Sequence, residues 1–464
     1  MSHSICRTVS QLTVALLAGM LLPRGAGAVA SFEVLNGVAA GSAFFAQDVS
    51  ADGSVVAGFY GSSAAIWVDG VTTVLVPPCC SFNNAQAASA DGAVIAGHSW
   101  RWENGSFTRV LGPNGSPVLQ TSGSNADGSV LVGTFASTTQ YFRWENGVSV
   151  GIDPPAGLTP LGPPVVSADG SVIAATGRLA GDDFAFRWDD GVGEVLPRLS
   201  ATLDSSVKGI SADGRVIVGE SGDDAYLDYR PVYWLDGEIE VLPGLGTDVL
   251  GTAHDASADG SIIVGTSRAA GTRATLWFDG EPHGLYTMLF SRGLPISGWA
   301  LDSAIAVSDD GHTIVGIGRN PSGVQRHWIA HLDACWDGLD DDRDGLTDFP
   351  DDPGCSGNTD ETERSDALPC DDGADNDGDG LADLDDPACQ TPTSPVENPK
   401  CDDDLDNDGD GGVDWDGGAD AGTPDPECVG KPWRAREGAN ACGLGAELAL
   451  ALVLLATGRR RILR

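Results

Sequence analysis

A short motif, Ser-Ala-Asp-Gly or a close variant, recurs seven times along the chain and constrains its fold more than any other feature. The aspartates of the seven copies are Asp52, Asp91, Asp127, Asp169, Asp213, Asp259 and Asp310. They span 258 residues over six intervals, so the mean period is 43 residues. A period of about 40–45 residues is typical of a four-stranded propeller blade. We therefore predict seven copies of one sheet-forming unit.

Each copy has the same internal pattern. The Asp-Gly pair is followed by a β-branched apolar run, such as RVIVG or SIIVG, which predicts a strand buried on both faces. A second strand ends in tryptophan, at Trp67, Trp102, Trp144, Trp188, Trp234, Trp277 and Trp328. Six of these strands continue into an Asp-Gly or Asn-Gly turn, which is a strong hairpin signal. A third strand follows, and a fourth leads into the next motif.

The seventh copy lacks the turn and the strand after it, because the pattern ends near Leu332. Near the start of the chain, Phe32–Leu35 (FEVL) is similar to Gly193–Leu196 (GEVL) in a complete copy. We predict that this early segment completes the blade that contains Trp328. The result is an all-β, seven-bladed β-propeller over residues 31–332, closed by its N-terminal strand, with no unpaired strand edges at the seam.

The repeated Ser and Asp side chains suit a structural role better than a catalytic one. A turn aspartate bonds to nearby backbone and the glycine supplies an unusual dihedral, so seven copies indicate seven identical corners. The tryptophans are expected to pack between blades. The repeat resembles the HAF-repeat family of extracellular bacterial proteins through Phe184–Trp188 (FAFRW) and the SADGSVV-type runs. This resemblance covers residues of roughly 32–332 and implies export and a repeat fold, but no activity.

The first 30 residues are typical of a secretory signal peptide. Arg7 is followed by an apolar run, Leu12–Leu22, and by two alternative small-residue cleavage sites at Ala26–Ala28 and Ala28–Ala30. The apolar run is too short to span a bilayer as a helix. We expect the protein to be exported, to the outer membrane, the cell surface or the medium, where disulfides persist.

Negative charge is concentrated in residues 333–430. This segment has 33 acidic and three basic residues, so it carries −30 of the formal net charge of −41. Nucleic acid is excluded as a partner, because neutralising phosphates requires Lys and Arg. A segment of this composition is either a solvated acidic linker or a cation-binding module, and the spacing of its carboxylates favours the second.

Three units of the acidic segment align without gaps, beginning CWDGLDDDRDGLTD, CDDGADNDGDGLAD and CDDDLDNDGDGGVD. Each contains D-x-D-x-D-G-x-x-D, the first half of an EF-hand-type loop, in which alternate carboxylates surround one cation. Oxygen ligands without His or thiolate favour Ca²⁺. The predicted ligands are Asp340, Asp342, Asp344 and Asp348; Asp375, Asp377, Asp379 and Asp383; and Asp406, Asp408, Asp410 and Asp414.

Each unit ends with Asp-Pro close to a second cysteine. The simplest pairing is Cys335 with Cys355, Cys370 with Cys389 and Cys401 with Cys428. We therefore predict an irregular stalk over residues 333–430, stabilised by calcium and disulfides in place of an apolar core. The pattern is similar to thrombospondin type 3 calcium repeats, but it lacks the Glu at position twelve of an EF-hand and the flanking helices.

Residues 431–464 combine Cys442, a short apolar run interrupted by Glu447, and the basic cluster Arg459–Arg461. This tail resembles C-terminal sorting signals of the MYXO-CTERM kind. The resemblance implies membrane attachment before processing, with Cys442 as the processing or lipidation point. The alternative is a permanent membrane anchor. The pairing of Cys79 and Cys80 is open.

These features predict a non-catalytic bacterial surface protein, in which a binding or adhesion propeller is displayed on a calcium-binding stalk. Its partner would be a cell-surface glycan or protein, contacted through loops such as 222–230 and 284–298. The alternative is a secreted propeller enzyme, a glycoside hydrolase or lyase, although the sequence contains neither HExxH nor GxSxG. A purely structural envelope component is the third hypothesis.

Overall fold

The structure, a computed structural model, describes residues 30–436 except 40, 78–83, 114, 117, 136–139, 156, 190, 224–227, 270, 361, 379, 408–410 and 417–421. The predicted signal peptide up to residue 29 and the apolar part of the sorting tail lie outside this range, as do Cys79, Cys80, Asp379, Asp408, Asp410 and Cys442. The chain divides into two compact units, one ending at Asp337 and one beginning at Gly338. Within the described ranges, no helix has both the length and the apolar character needed to cross a bilayer.

The first unit contains seven four-stranded antiparallel sheets, one for each copy of the repeat. The chain begins with β1 (Ser31–Val34). Blade one consists of β2 (Phe45–Val49), β3 (Val56–Tyr60), β4 (Ser63–Val68) and β5 (Val71–Val74). Blade two consists of β6 (Ala87–Ala88), β7 (Val94–Gly97), β8 (Trp100–Glu103) and β9 (Ser106–Arg109). Blade three consists of β10 (Gln120–Ser124), β11 (Val130–Thr134), β12 (Tyr141–Glu145) and β13 (Val148–Ile152).

The remaining blades repeat this order with longer strands. Blade four consists of β14 (Thr159–Val166), β15 (Val172–Leu179), β16 (Asp182–Asp189) and β17 (Val192–Val195). Blade five consists of β18 (Asp204–Ile210), β19 (Val216–Asp223), β20 (Asp228–Leu235) and β21 (Glu238–Val241). Blade six consists of β22 (Leu250–Ala256), β23 (Ile262–Arg268), β24 (Thr272–Phe278) and β25 (Glu281–Gly284). Blade seven contains β26 (Ala300–Val307), β27 (Thr313–Arg319) and β28 (Gln325–His331).

The N-terminal strand closes the ring. β1 pairs antiparallel with β28 and becomes the outer strand of blade seven, with Phe32 opposite Ala330. Leu35, just beyond β1, donates its N–H to the carbonyl of His327 at 3.0 Å and is fully buried. The predicted seven-bladed propeller, closed by the first segment of the chain, is therefore confirmed.

Six of the seven corners have one hydrogen-bond pattern, illustrated by blade five, and at the third corner Asn125 Oδ1 accepts the Val130 N–H in place of a serine hydroxyl. Ser211 Oγ donates to Asp213 Oδ1 at 2.6 Å, and Val216 N–H donates to Ser211 Oγ at 3.0 Å. Gly214 takes a positive φ of 74°, a conformation that a side chain would strain. The motif is thus a folded corner, as its repetition predicts.

Backbone hydrogen bonds join these corners into a closed ring, because each corner donates an N–H to a carbonyl of the next. Three of these bonds run from the N–H of one alanine to the carbonyl of another, and a fourth runs from Ala258 N–H to Asp309 O. Their donor–acceptor distances are 2.8–2.9 Å. Asp309 N–H donates to Ala51 O at 2.9 Å and so joins the last corner to the first. The donors in order are Asp52, Ala90, Ala126, Ala168, Asp213, Ala258 and Asp309.

The tryptophans pack between blades. Trp234 of blade five is fully buried against Ile217 and Val232 of its own blade and Ala174 of blade four. Its indole N–H donates to Pro197 O at 2.8 Å, so the one polar atom of the ring is satisfied. The β-branched runs after each corner form the rest of these inter-blade clusters.

One predicted loop contains a helix. The segment that follows β25 forms α1 (Leu285–Ser291), in which Leu285, Met288 and Leu289 face inward. Tyr286 and Phe290 lie on the opposite side and stack with ring centroids 5.6 Å apart. The apolar residues therefore recur at helical spacing within a region where the repeat pattern favours a connecting loop.

The described residues of the second unit contain turns and one short 3₁₀ helix, Asp383–Asp385, but no strand. A further 3₁₀ helix, Ala334–Trp336, ends the first unit. Disulfides join Cys370 to Cys389 and Cys401 to Cys428, and Cys335 and Cys355 are also disulfide-bonded. All of these sulfurs belong to buried residues, so cysteines occupy the interior that apolar side chains fill elsewhere.

Candidate metal centre

The first acidic repeat brings Asp340, Asp342 and Asp344 together. One oxygen from each of these carboxylates lies within 4.8 Å of the others. Backbone N–H groups orient the side chains: Asp340 Oδ2 accepts from Gly345 at 3.1 Å and Asp344 Oδ1 accepts from Leu346 at 2.6 Å. Gly345 has a φ of 90°, so glycine at the sixth position makes the sharp turn that the loop requires.

The second oxygen of each carboxylate is buried and lacks a proton donor. Asp340 Oδ1, Asp342 Oδ2 and Asp344 Oδ2 receive no hydrogen bond from the residues that the structure describes. Burying a carboxylate oxygen without a donor is costly, and a bound cation removes that cost. Burial, with the neighbouring charge of Asp342, raises the pKa of Asp344 to about 6. The arrangement therefore disfavours three bare charges and favours a cation.

The aspartate of the Asp-Pro pair is a further buried carboxylate, and it lies close to Glu363 and Cys355. Asp352 is 1% exposed; its Oδ1 accepts the Gly354 N–H at 2.6 Å, and its Oδ2 has no donor within the described ranges. Asp386 and Asp425 occupy the same position in the later repeats and accept a backbone N–H at 2.6 Å in the same way. The sequence analysis noted the Asp-Pro pair without counting its aspartate among the ligands, although its recurrence in all three units was an available signal.

The aspartate at the ninth loop position holds the start of its own repeat. Asp348 Oδ1 accepts from Gly338 N–H at 3.0 Å, and Asp383 and Asp414 bond in the same way to Asp372 and Asp403. These three aspartates share a positive φ of 58°, 52° and 48°. The group of oxygens that converge in the first repeat consists of Asp340, Asp342 and Asp344, without Asp348.

A glutamate that the sequence analysis missed clamps each of the first two loops. Glu363 accepts N–H groups from Asp341 at 2.6 Å and from Asp348 at 2.8 Å, and it is 1% exposed. Glu397 does the same for Asn376 and Asp383, at 2.5 and 2.7 Å. Both lie eight residues after the second cysteine of their unit, a spacing that could have identified them.

The second and third loops share the fold of the first as far as they are described. Asp375 Oδ2 accepts from Gly380 at 3.0 Å and Asp406 Oδ2 from Gly411 at 3.1 Å, which matches the bond between Gly345 and Asp340. Of the other predicted ligands, Asp377, Asp383 and Asp414 are described, whereas Asp379, Asp408 and Asp410 lie outside the described residues.

The propeller has a central cavity of about 230 Å³, lined by the first strand of each blade. Asp48 and Asp255 lie on its wall and accept N–H groups from the next blade, from Ala88 at 2.8 Å and Val307 at 3.0 Å. Burial raises the pKa of Asp48 to about 6, and burial together with the charge of Asp48 raises the pKa of Asp255 to about 8. These carboxylates therefore connect blades at the cavity wall.

Other polar groups on the cavity wall include Gln47, Gln86, Ser122, Lys208 and His254. Small residues make up most of the rest, and no Phe, Tyr or Trp from the described part of the chain lines the cavity. Aromatic platforms that would stack on a sugar ring are thus missing from this wall as described.

No family model matches this sequence, and neither does any curated protein. Several solved structures are similar in fold. TolB from Acinetobacter baumannii is 17% identical with a TM-score of 0.33, over 51% of this chain and 59% of that one. An oligogalacturonate lyase in complex with manganese is 14% identical with a TM-score of 0.43, over 65% of this chain and 96% of that one. The β-propeller domain of the Trilobed protease from Pyrococcus furiosus is 13% identical with a TM-score of 0.41, over 64% of this chain and 96% of that one.

This chain therefore spans about 59% of the length of the TolB structure and nearly all of the other two. Likeness at this level concerns fold alone. The propeller itself is established by the seven sheets and the β1–β28 pairing described above.

Proposed function

We propose that the second unit binds Ca²⁺ through its acidic repeats, and that the ions order a segment with no apolar core. The supporting observation is the set of buried oxygens of Asp340, Asp342 and Asp344, which converge without a proton donor among the described residues. Asp352 adds a buried carboxylate of the same kind. Hydrogen bonds from the backbone hold these side chains in place before a cation arrives, which lowers the entropic cost of binding.

The ligand chemistry favours calcium over other divalent metals. Every converging atom is a carboxylate oxygen, and the neighbouring Cys355 is disulfide-bonded, so it offers no thiolate. Calcium accepts six to eight oxygens in a flexible geometry, whereas Mg²⁺ requires a strict octahedron and retains water. A multi-carboxylate loop therefore suits calcium best.

The larger role that we propose is that of an exported, non-catalytic surface protein whose propeller binds a glycan or protein partner. The signal-like N-terminus and the disulfides support export, because disulfides persist outside the cytoplasm. The ring of backbone bonds supports a rigid scaffold on which loops vary.

Calcium titration of the full, oxidised chain tests the metal assignment. Wild-type protein is expected to bind Ca²⁺ by calorimetry and to become resistant to proteolysis within residues 338–436. Asp342→Asn combined with Asp344→Asn should abolish binding at the first repeat, while Asp366→Asn, at an exposed aspartate, should not. Absence of calcium binding by the wild-type chain would show that the assignment is wrong.

A glycan-array and cell-binding screen tests the partner assignment. Binding that is equal for wild type and the Asp342→Asn, Asp344→Asn variant would place recognition in the propeller. Cleavage of a polysaccharide during the screen would contradict the non-catalytic role and favour the enzyme alternative.

A further inference from the structure

Asp371 belongs to the second acidic repeat, but its side chain reaches the carboxylates of the first. It follows Cys370 directly and is 2% exposed. Burial, followed by the neighbouring Asp342 carboxyl group, raises the pKa of Asp371 to about 8. The charges of Asp352 and Asp344 act in the same direction. Asp371 is thus spatially part of the first-repeat cluster.

The orientation of Asp371 is an independent observation that points to a ligand. Its Oδ2 is buried and receives no hydrogen bond from the described residues, and the same holds for Oδ2 of Asp352, which is 1% exposed. A Cβ added to Gly354 would lie 2.7 Å from Asp371 Oδ2, so this oxygen faces the turn that begins at Asp352. Two carboxylates, each more than nine-tenths buried, therefore direct an oxygen without a donor to one region.

Asp402 is the counterpart of Asp371 at the next junction. Asp402 follows Cys401, the first cysteine of the third repeat, and burial raises its pKa to about 7. The charges of Asp386 and Asp377, both from the second repeat, contribute to this rise. Trp415 Nε1 donates to Asp402 Oδ1 at 3.0 Å, which fixes the orientation of the carboxylate. An aspartate therefore follows the first cysteine at both junctions between acidic repeats.

The sequence shows where this carboxylate is used. The first repeat has Trp336 after its first cysteine, where the second and third have Asp371 and Asp402. No D-x-D-x-D-G motif precedes the first repeat in the sequence, so a carboxylate at position 336 would have no earlier loop to serve. An aspartate after the first cysteine therefore occurs only in the two repeats that follow another D-x-D-x-D-G loop.

We infer that the aspartate after the first cysteine of one repeat is a ligand of the cation held by the repeat before it. The first-repeat cation would be bound by Asp340, Asp342, Asp344, Asp352 and Asp371. The second-repeat cation would recruit Asp402 in the same way. This inference rests on the proposed calcium function and adds to it that each ion cross-links two repeats.

Such a cross-link makes metal binding and chain order cooperative. Binding at the first repeat immobilises the start of the second, where the Asp372 and Gly373 N–H groups bond to Asp383. Ordering that segment in advance reduces the entropy that the second site must lose when its own cation binds. The ions therefore stiffen the junctions as well as the loops.

The test is a Ca²⁺ titration of the full, disulfide-bonded chain by calorimetry, with variants at Asp371. Asp371→Asn keeps the size of the side chain but removes its charge, and Asp371→Ala removes the oxygens. The affinity at one site should fall about tenfold or more for Asn and further for Ala. Asp402→Asn should weaken a different site, and the exposed Asp366→Asn is the matched control.

The stability of the metal-free chain distinguishes the loss of a metal ligand from a loss of folding. Asp371→Asn removes one charge from a crowded carboxylate cluster, so the metal-free variant should be no less stable than wild type. If wild type binds Ca²⁺ and the Asp371 variants have the same Ca²⁺ affinity as the control Asp366→Asn, the cross-link is wrong and the calcium function stands. If wild type binds no Ca²⁺, both proposals are wrong.

Discussion

Val34 and Trp328 are register partners in the antiparallel pair β1–β28, although they lie at opposite ends of the propeller sequence. The pairing converts a linear series of repeats into a closed ring. Phe32 strengthens the seam, because its ring lies 5.9 Å from the ring of Trp328 and 5.2 Å from that of Trp299. The seam is therefore a small aromatic core in addition to a strand pair.

Truncation of this aromatic contact should destabilise the whole propeller. We expect Phe32→Ala to lower the free energy of unfolding by about 2–3 kcal/mol, because it removes packing against both tryptophans. Urea denaturation followed by tryptophan fluorescence measures the change. Val38→Ala, at a residue that is 62% exposed, is the control. Equal midpoints for the two variants would contradict the closing role of β1.

The corner motif predicts a second stability effect. Ser211→Ala removes the hydroxyl that accepts the Val216 N–H and donates to Asp213, in a fully buried position. A buried N–H without an acceptor costs about 1–3 kcal/mol, so the unfolding midpoint should fall accordingly. Ser106→Ala, at an exposed serine of β9, should leave the midpoint unchanged. A neutral effect of Ser211→Ala would mean that the corner does not depend on its serine.

The stability of the propeller should fall as pH rises from about 6.5 to about 8. Burial raises the pKa of Asp255 from its ordinary 3.8 to about 8, so over this range the folded chain holds a proton that the unfolded chain has already released. At lower pH, burial of His254 and His327 lowers their pKa values to about 4, and this contribution to stability has the opposite sign. The unfolding free energy decreases with pH wherever the native state binds more protons. Asp48 acts in the same direction as Asp255 only below about pH 6, because burial raises its pKa to about 6.

Denaturation midpoints between pH 6.5 and pH 8, in chelator, measure this dependence. Asp255→Asn should flatten the curve and raise the midpoint at pH 8 relative to wild type. Asp69→Asn, at an exposed turn aspartate, should keep the wild-type slope. A wild-type curve that rises over this range would show that Asp255 is ionised in the folded chain.

The glutamate clamp should affect calcium binding without contributing a ligand. Glu363→Gln replaces one accepting oxygen with an NH₂ group, which cannot accept the N–H of Asp341 or Asp348. Groups that orient ligands typically contribute 10–100-fold to metal affinity, so we expect about a tenfold loss at the first repeat. Calorimetry measures it, with Asp366→Asn as the control. Unchanged affinity would show that the loop is ordered without the clamp.

Most of the propeller could be predicted because its information is local and repeated. The Asp-Gly corners, the apolar runs and the Trp-terminated strands recur, and the missing strand of the seventh copy indicates its own replacement near Phe32. In contrast, α1 interrupts the repeat with a pattern that occurs once, so no second copy was available for comparison. Asp48 and Asp255 each lie two residues before a corner motif, and only these two of the seven blades have an aspartate there. Their burial depends on the ring closing around them.

In the acidic unit, the sequence alone determined the loop in which three carboxylates converge. The D-x-D-x-D-G spacing brings Asp340, Asp342 and Asp344 together within a few residues, because one glycine turn is enough to do so. Only the tertiary structure decided that Asp352, Glu363 and Asp371 come close to this loop. These residues reach it from turns beyond the loop, and buried disulfides and backbone hydrogen bonds hold those turns, so no spacing along the chain specifies the contact.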